Sequence, residues 1–214
     1  EWTFNGTGTA NGNTYTTATD LAAGTYTATV KAAIGDCDTI SNSVTITVNE
    51  KPVVTIAADK TEICEGETVT FTASETSGAT GTITYEWTFN GTGTANGNTY
   101  TTADNLAAGD YTATVKATLG DCFSESNSVT ITVNKKPVVT LAADKNEICE
   151  GDQITFTATS DVNGVDYEWT FDGTGTANDN TYTTAADLVA GTYTAKVKAT
   201  LGDCFSESNS VTIT

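Results

Sequence analysis

Residues 85–91 read YEWTFNG, a stretch in which aromatic and polar side chains alternate before an Asn-Gly pair. Successive side chains of a strand point to opposite faces, so Tyr85, Trp87 and Phe89 are expected together on a buried face. Asn-Gly is a typical dipeptide of tight turns. The stretch therefore predicts a core strand of an antiparallel sheet, followed by a turn.

Near copies of this stretch recur along the chain. Residues 1–17 and 86–102 both read EWTFNGTGTANGNTYTT, and residues 116–132 and 198–214 both read KATLGDCFSESNSVTIT. The shifts of 85 and 82 residues are too long for one turn of a solenoid and suit one small β-domain. We predict the C-terminal part of a truncated module at residues 1–49 and complete modules at 50–134 and 135–214, called modules 1, 2 and 3 below.

Each complete module contains several short segments with the same alternation. In module 2, strands are predicted at Val53–Ala57, Thr68–Ala73, Tyr85–Phe89, Thr99–Thr101, Tyr111–Ala117 and Ser128–Val133. Six or seven short strands in a module of this size, with a tryptophan on the third, are typical of an immunoglobulin-like sandwich. The predicted fold class is all-β, with tandem immunoglobulin-like β-sandwich modules arranged head to tail.

The aromatic residues of these strands have two possible roles. Their alternation predicts core positions for Trp2, Trp87, Trp169, Tyr111 and Tyr193. The three tryptophans would alternatively be exposed platforms for sugar rings. The regular alternation with other aromatic residues favours the core role.

The charge balance excludes several classes of function. The chain has 27 acidic residues, 9 basic residues that are all lysine, and a net charge of −18. Such a charge argues against nucleic acid and anionic membrane surfaces as partners. No apolar run reaches the length of about 18 residues that a membrane span needs, so no direct membrane insertion is expected. The chain lacks histidine and therefore Ser-His and Cys-His nucleophile pairs, so we predict no enzyme activity and no cofactor.

Four motifs resemble known families. Residues 85–91 look like the Tyr-x-Trp-x-Phe-Gly-Asp-Gly stretch of PKD domains, and residues 108–115 (AGDYTATV) look like their Pro-Gly-x-Tyr-x-Val-x-Val strand. With Ile-Cys-Glu-Gly at 63–66 and Gly-Asp-Cys at 120–122, the module resembles the Ig-like/PKD-like repeats of Bacteroidota cell-surface proteins, including gliding-motility adhesins of the SprB type. It departs from PKD domains at Asn90, where that family usually has glycine. The resemblance implies a PKD-like sandwich, export by the type IX secretion system, an outer-membrane anchor and surface motility.

The cysteines occupy two module positions. One is shared by Cys37, Cys122 and Cys204, and the other by Cys64 and Cys149. Regularly placed cysteine pairs suggest disulfides and an oxidising, extracytoplasmic location. The alternative is that they are small buried free thiols.

Two pairing schemes follow from the predicted fold. Pairing within modules would join Cys64 to Cys122 and Cys149 to Cys204. In an immunoglobulin-like topology, however, the two positions lie at opposite ends of a sandwich about 27 Å long, whereas disulfides join Cα atoms about 4.4–6.8 Å apart. The A–B end of one module faces the F–G end of the next. This favours Cys64–Cys204 between modules, with Cys37 and the other two cysteines paired to modules outside this chain.

Acidic residues cluster before the second strand of each complete module. Oxygen ligands suit Ca²⁺, and the candidate ligands are Asp59, Glu62, Glu65, Asp144, Glu147 and Glu150. Nearby lysines and the absence of an EF-hand pattern favour a solvated acidic loop instead. We therefore predict no metal site, with the Ca²⁺ site as the alternative.

These observations together predict a structural function. The chain is expected to be a stalk segment of a secreted cell-surface adhesin filament, acting in adhesion and, by resemblance, in gliding motility. Its expected partners are neighbouring modules of the same chain and surface polysaccharide or substratum. The alternatives are spacer modules of a large secreted hydrolase and polysaccharide-binding modules. Because module 1 lacks counterparts of Pro52–Tyr85, we expect the chain to be part of a longer polypeptide.

Overall fold

The computed structural model describes residues 1–214 and consists of strands and their connections. The chain has no helix long and apolar enough to cross a membrane. Module 1 contains β1 (Trp2–Phe4), β2 (Gly8–Asn11), β3 (Thr14–Thr17), β4 (Gly24–Ile34), β5 (Cys37–Ile40) and β6 (Val44–Val48).

The two complete modules have closely similar strands. Module 2 contains β7 (Val54–Ala58), β8 (Glu62–Cys64), β9 (Thr70–Glu75), β10 (Thr84–Phe89), β11 (Gly93–Asn96), β12 (Thr99–Thr102), β13 (Gly109–Leu119), β14 (Cys122–Glu125) and β15 (Val129–Asn134). Module 3 contains β16 (Val139–Ala143), β17 (Thr155–Ser160), β18 (Asp166–Phe171), β19 (Gly175–Asn178), β20 (Thr181–Thr184), β21 (Tyr193–Leu201), β22 (Cys204–Glu207) and β23 (Val211–Ile213).

Module 2 is a sandwich of two sheets. One sheet has the order β10-β13-β15-β8, with β14 also paired to β13, and the other has the order β11-β12-β9-β7. Both contribute to one core, in which Phe71 and Ile131 are fully buried. Threonine alternates with these residues and points outward, as its preference for half-exposed strands favours. The all-β sandwich prediction is confirmed.

A side chain ties the two sheets of each complete module together. In module 2 the Asn127 amide accepts a hydrogen bond from the Ile56 N–H (3.0 Å) and donates one to the Ile56 carbonyl (3.2 Å). Asn209 holds Leu141 in module 3 in the same way, at 3.0 and 3.1 Å. Each asparagine thus pairs with the backbone of the first strand across the sandwich.

Module 1 has strand sequences similar to those of module 2 but an open inner face. Ile46 is 39% exposed, whereas Ile131, at the same position of module 2, is fully buried. The strands that cover Ile131, β7 and β9, have no counterpart in module 1. Burial of this face is therefore decided by the opposite sheet and not by the strand that carries the residue.

The predicted aromatic core residues lie at the margins of the cores. Trp87 and Tyr111 are half-buried and pack against the module 2 core, and Trp169 and Tyr193 do the same in module 3. Trp2 is half-buried on the open face of module 1. Each indole N–H donates to the carbonyl of a turn residue, with N···O distances of 2.9–3.3 Å.

A tyrosine also fixes the same corner in all three modules. The hydroxyl of Tyr111 donates to the Ala107 carbonyl four residues upstream, at 3.1 Å. The Tyr26 and Tyr193 hydroxyls make the same bond at 2.9 Å. Such tyrosine corners are characteristic of immunoglobulin-like sandwiches.

The structure contains three strands in module 2 that the alternation did not predict, namely β8, β11 and β14. Each has three or four residues, too few for a period of two to stand out from a turn. Two are held by a hairpin partner, β12 or β13, and β8 runs parallel to β15. These short strands therefore depend on pairing rather than on their own pattern.

The joint between modules 2 and 3

The joint between modules 2 and 3 combines a disulfide, ion pairs and hydrogen bonds, and is the candidate functional site. It comprises the linker at residues 134–137, the end of β8, the β21–β22 turn and Asp161. A disulfide joins Cys64 of module 2 to Cys204 of module 3, with Cα atoms 5.6 Å apart. The two modules are therefore linked by this bond as well as by the main chain.

Strand pairing places both cysteines at the joint. The parallel register of β8 and β15 sets Cys64 beside Asn134, the first residue of the linker. In module 3, Leu201 pairs with Cys204 across a tight turn in which Gly202 has φ +59°, a conformation that favours glycine. The Cys204 sulfur lies 4.0 Å from the Asn134 carbonyl oxygen. The end of one module and the turn of the next thus meet at a single linker residue.

Glu65 fastens the linker to module 2. One carboxylate oxygen accepts a hydrogen bond from the Ala108 N–H and the other accepts one from the Lys136 N–H, both at 3.1 Å. The Glu65 N–H donates to the Asn134 carbonyl at 3.0 Å. One residue therefore holds both the beginning and the middle of the linker.

Lys135 connects carboxylates of the two modules. Its Nζ lies 3.3 Å from a Glu65 oxygen in module 2 and 3.5 Å from an Asp161 oxygen in module 3. The other Asp161 oxygen accepts a hydrogen bond from the Val138 N–H at 2.6 Å. One ammonium thus contacts a carboxylate of each module across the joint.

The joint favours the charged form of all three side chains. Partial burial opposes ionisation of Glu65, but the Lys136 and Ala108 N–H groups and the Lys135 ammonium outweigh it and keep the Glu65 pKa below its ordinary value. The Val138 N–H is the main cause that lowers the pKa of Asp161, and Lys135 adds to it. The Lys135 pKa is raised, chiefly by its hydrogen bond to Glu65.

The other three cysteines are unpaired. Cys37 and Cys149 are exposed, and Cys122 is half-buried. The Cys122 sulfur lies 4.0 Å from the Asn49 carbonyl oxygen, the same distance that separates Cys204 from Asn134. Cys122 thus occupies, at the joint between modules 1 and 2, the position that Cys204 occupies at the next joint.

The structure does not gather the acidic residues into groups of three or more that could hold a metal ion. Asp59 and Asp144 each accept a hydrogen bond from the N–H of the threonine that begins β9 or β17, at 2.9 and 3.0 Å. Glu65 is engaged by the linker, while Glu62, Glu147 and Glu150 form none of the ion pairs of the chain. The aspartates and Glu65 thus hold backbone groups.

Sequence reasoning missed Asp161 and the bridging role of Lys135. Nothing in the local sequence marks Lys135 as different from Lys136. Asp161 lies in the loop after β17, and the equivalent residue of module 2 is Thr76. Module 3 thus has an acidic residue where module 2 has a threonine. This difference, together with Lys135, is the signal for the ion pair that a comparison of the modules offers.

Residues 49–133 match the family model of the PKD domain. No curated protein matches the chain by sequence. Among solved structures, the N-terminal eight Ig domains of Down Syndrome Cell Adhesion Molecule match 90% of this chain and 31% of that chain, with 16% identity and a TM-score of 0.54. This likeness supports tandem immunoglobulin-like modules as the fold.

Two further structures overlap the chain less well. The insect immune protein hemolin matches 97% of this chain and 66% of its own, with 17% identity and a TM-score of 0.42. Murine CEACAM1b matches 76% of this chain and 99% of its own, with 16% identity and a TM-score of 0.37.

Proposed function

We propose that the chain is a structural stalk segment of a secreted cell-surface adhesin filament, in which tandem modules hold an adhesive part away from the cell surface. The observation that carries this proposal is the Cys64–Cys204 disulfide, because it fastens two modules end to end. A spacer that only needed to be flexible would not require a covalent bond across its joint. The ion pairs of Lys135 with Glu65 and Asp161 support the same function.

The repeated cysteine positions extend this proposal along an array of modules. Cys122 lies at its joint as Cys204 does, and Cys149 has the same position in the sequence of its module as Cys64. We propose that Cys37, Cys122 and Cys149 pair with equivalent cysteines of further modules, so that every joint carries the same bond. The principal partners of each module are then its neighbours in the chain, and contact with polysaccharide or substratum belongs to the adhesive part.

Location and chemistry are part of the same proposal. Disulfides persist outside the cytoplasm, and immunoglobulin-like modules with a disulfide are typical of extracellular proteins. The charge of −18 favours mutual repulsion between neighbouring filaments. We propose a structural and non-enzymatic function. The motif resemblance to Bacteroidota repeats supports type IX export, a cell-surface position and a role in gliding motility.

Immunogold electron microscopy of intact, unpermeabilised cells, with an antibody raised against module 2, tests this proposal. Gold particles in rows that extend several module lengths from the surface are the expected result. Gold that is absent from the surface while the protein is found in the culture fluid would contradict the stalk and favour spacer modules of a secreted hydrolase. Cells that lack the protein control for non-specific labelling.

A further inference from the structure

We propose that the Cys64–Cys204 bond sets a limit on how far the stalk can be stretched, by carrying tension past almost all of modules 2 and 3. The inference rests on the proposed stalk function and concerns the path of force through the joint. The bond closes a loop with a sequence separation of 140 residues. Tension applied at Glu1 and Thr214 follows the shortest covalent path, which leaves the chain at Cys64 and re-enters it at Cys204.

In module 3 this path is one nearly straight line of strands. From Cys204 it follows β22 and β23, which both pair with β21, from the Leu201–Cys204 pair at one end to the Tyr193–Ile213 pair at the other. About ten residues, 204–213, therefore run beside a strand of 9 residues. At about 3.3 Å per residue, β21 is about 30 Å long, and the path beside it reaches about 34 Å when fully extended. The path can therefore lengthen very little under tension.

In module 2 the path also runs from one end of the sandwich to the other. It follows β7, which pairs with β9, and then β8, which is parallel to β15. The Asn127 amide holds β7 at Ile56 from the opposite sheet. Ladder hydrogen bonds lie across the strand direction, so a pull along the strands loads all bonds of each pair together. The segment that bears tension is thus attached to both sheets.

The remaining strands of both modules lie within the closed loop and outside the path. Without the disulfide, complete extension would release the whole chain. With the disulfide, residues 65–203 add nothing to the length of the extended chain. At roughly 3.4 Å per residue, the extended chain is then about 480 Å shorter than without the bond. In an array with the same bond at every joint, the covalent path that bears tension includes little more than one pair of strands from each module. Such a stalk remains close to its folded length even after its modules unfold.

Single-molecule force spectroscopy of the complete chain tests the inference. Handles are attached through enzymatic tags at the two termini, so that no cysteine is used for attachment. The chain carries Cys37→Ser, Cys122→Ser and Cys149→Ser, which leave one possible disulfide and prevent rearrangement. The released contour length is measured in oxidising buffer and again after the reductant tris(2-carboxyethyl)phosphine is added. Cys64→Ser added to this background is the matched variant without the bond.

We expect the reductant to increase the released length by about 480 Å, and the Cys64→Ser variant to release the full length in either buffer. An oxidised chain that releases the full length overturns the inference. A second measurement uses the chain with all five native cysteines. In that chain, disulfides within modules 2 and 3 would reduce the released contour length by about 380 Å in total, as two separate segments. This result would also overturn the inference. Labelling of culture fluid alone would contradict the stalk while leaving this measurement unaffected.

Discussion

The two joints of the chain have almost the same linker and very different connections. The linkers read NEKP at residues 49–52 and NKKP at 134–137, and they differ at one position, Glu50 against Lys135. The second joint has a disulfide and a lysine between two carboxylates. The first has the unpaired Cys122 near a linker carbonyl.

The comparison shows that a joint is built by elements outside its linker. Cys64 is the last residue of β8, Glu65 follows it, and Asp161 comes from the loop after β17. Module 1 lacks the segment that would supply the first two, and Thr76 stands at the equivalent of Asp161. The following predictions change one partner at a time at the two joints.

Removal of the disulfide has the largest expected effect. Cys204→Ala should lower the free energy of unfolding of modules 2 and 3 by about 2–5 kcal/mol, because a bond that closes a long loop restricts the unfolded chain. Calorimetry should show a single unfolding transition for modules 2 and 3 in the oxidised protein and two separate transitions in the variant. Cys122→Ala is the matched control, since it removes an unpaired thiol at the same module position. An equal loss in both variants would contradict the difference between the joints.

Loss of Glu65 is expected to have the next largest effect. Glu65→Ala should reduce the stability of the joint by about 1–2 kcal/mol, because two backbone N–H groups lose a charged acceptor. Chemical denaturation followed by fluorescence of the tryptophans measures the change. Glu150→Ala is the control, because Glu150 has the same module position and holds no linker. A comparable loss for Glu150→Ala would show that the effect belongs to the loop and not to the joint.

A charge reversal at Lys135 makes the second linker identical to the first. Lys135→Glu should increase the relative motion of modules 2 and 3, because it places a third carboxylate between Glu65 and Asp161. Residual dipolar couplings in NMR should then show less well aligned modules, and the effect should shrink at high salt. Glu50→Lys at the first joint should not produce the reverse change, since Glu65 has no counterpart in module 1. A rigid Lys135→Glu joint would contradict a bridging role for the lysine.

Acid should produce the smallest of these effects. The pKa values of Glu65 and Asp161 are lowered from 4.5 and 3.8, so their stabilisation is complete above those values and is lost as the pH falls through the lower folded values. The Lys135 pKa is raised from 10.5, so its contribution is complete below 10.5 and is lost as the pH rises through the higher folded value.

Residual dipolar couplings measured between pH 7 and 2 should therefore show modules 2 and 3 less well aligned with each other in the acid part of the range. The change should be greater in Cys204→Ala, where no bond limits the motion, than in the oxidised protein. An alignment that stays constant across this range in both proteins would show that the ion pairs do not restrict the joint.

The longer strands could be predicted because burial repeats every second residue in each of them. The segment from Tyr85 to Phe89 shows this pattern, and it forms β10. The strand β8 could not be predicted in this way, because three residues contain too little pattern. Its position depends on β15, which lies about 70 residues later in the sequence and pairs with it in parallel.

The conformation of single polar residues was harder to infer. The side-chain oxygen of Asn90 accepts a hydrogen bond from the Thr112 N–H at 2.6 Å, which the Asn-Gly turn pattern does not predict. Asp172 makes the same bond in module 3, to the N–H of Thr194. Asparagine and aspartate both provide an oxygen acceptor, which explains why the two residues exchange at this position.

The sequence by itself determined the repeat, the sandwich fold and the two module positions of the cysteines. These properties depend on local alternation and on near-identical copies, both of which can be read along one chain. Only the tertiary structure decided that Cys64 meets Cys204 and that Lys135 lies between Glu65 and Asp161. Contacts between residues far apart in sequence depend on how whole modules are placed relative to each other. The sequence of a short linker does not indicate that placement.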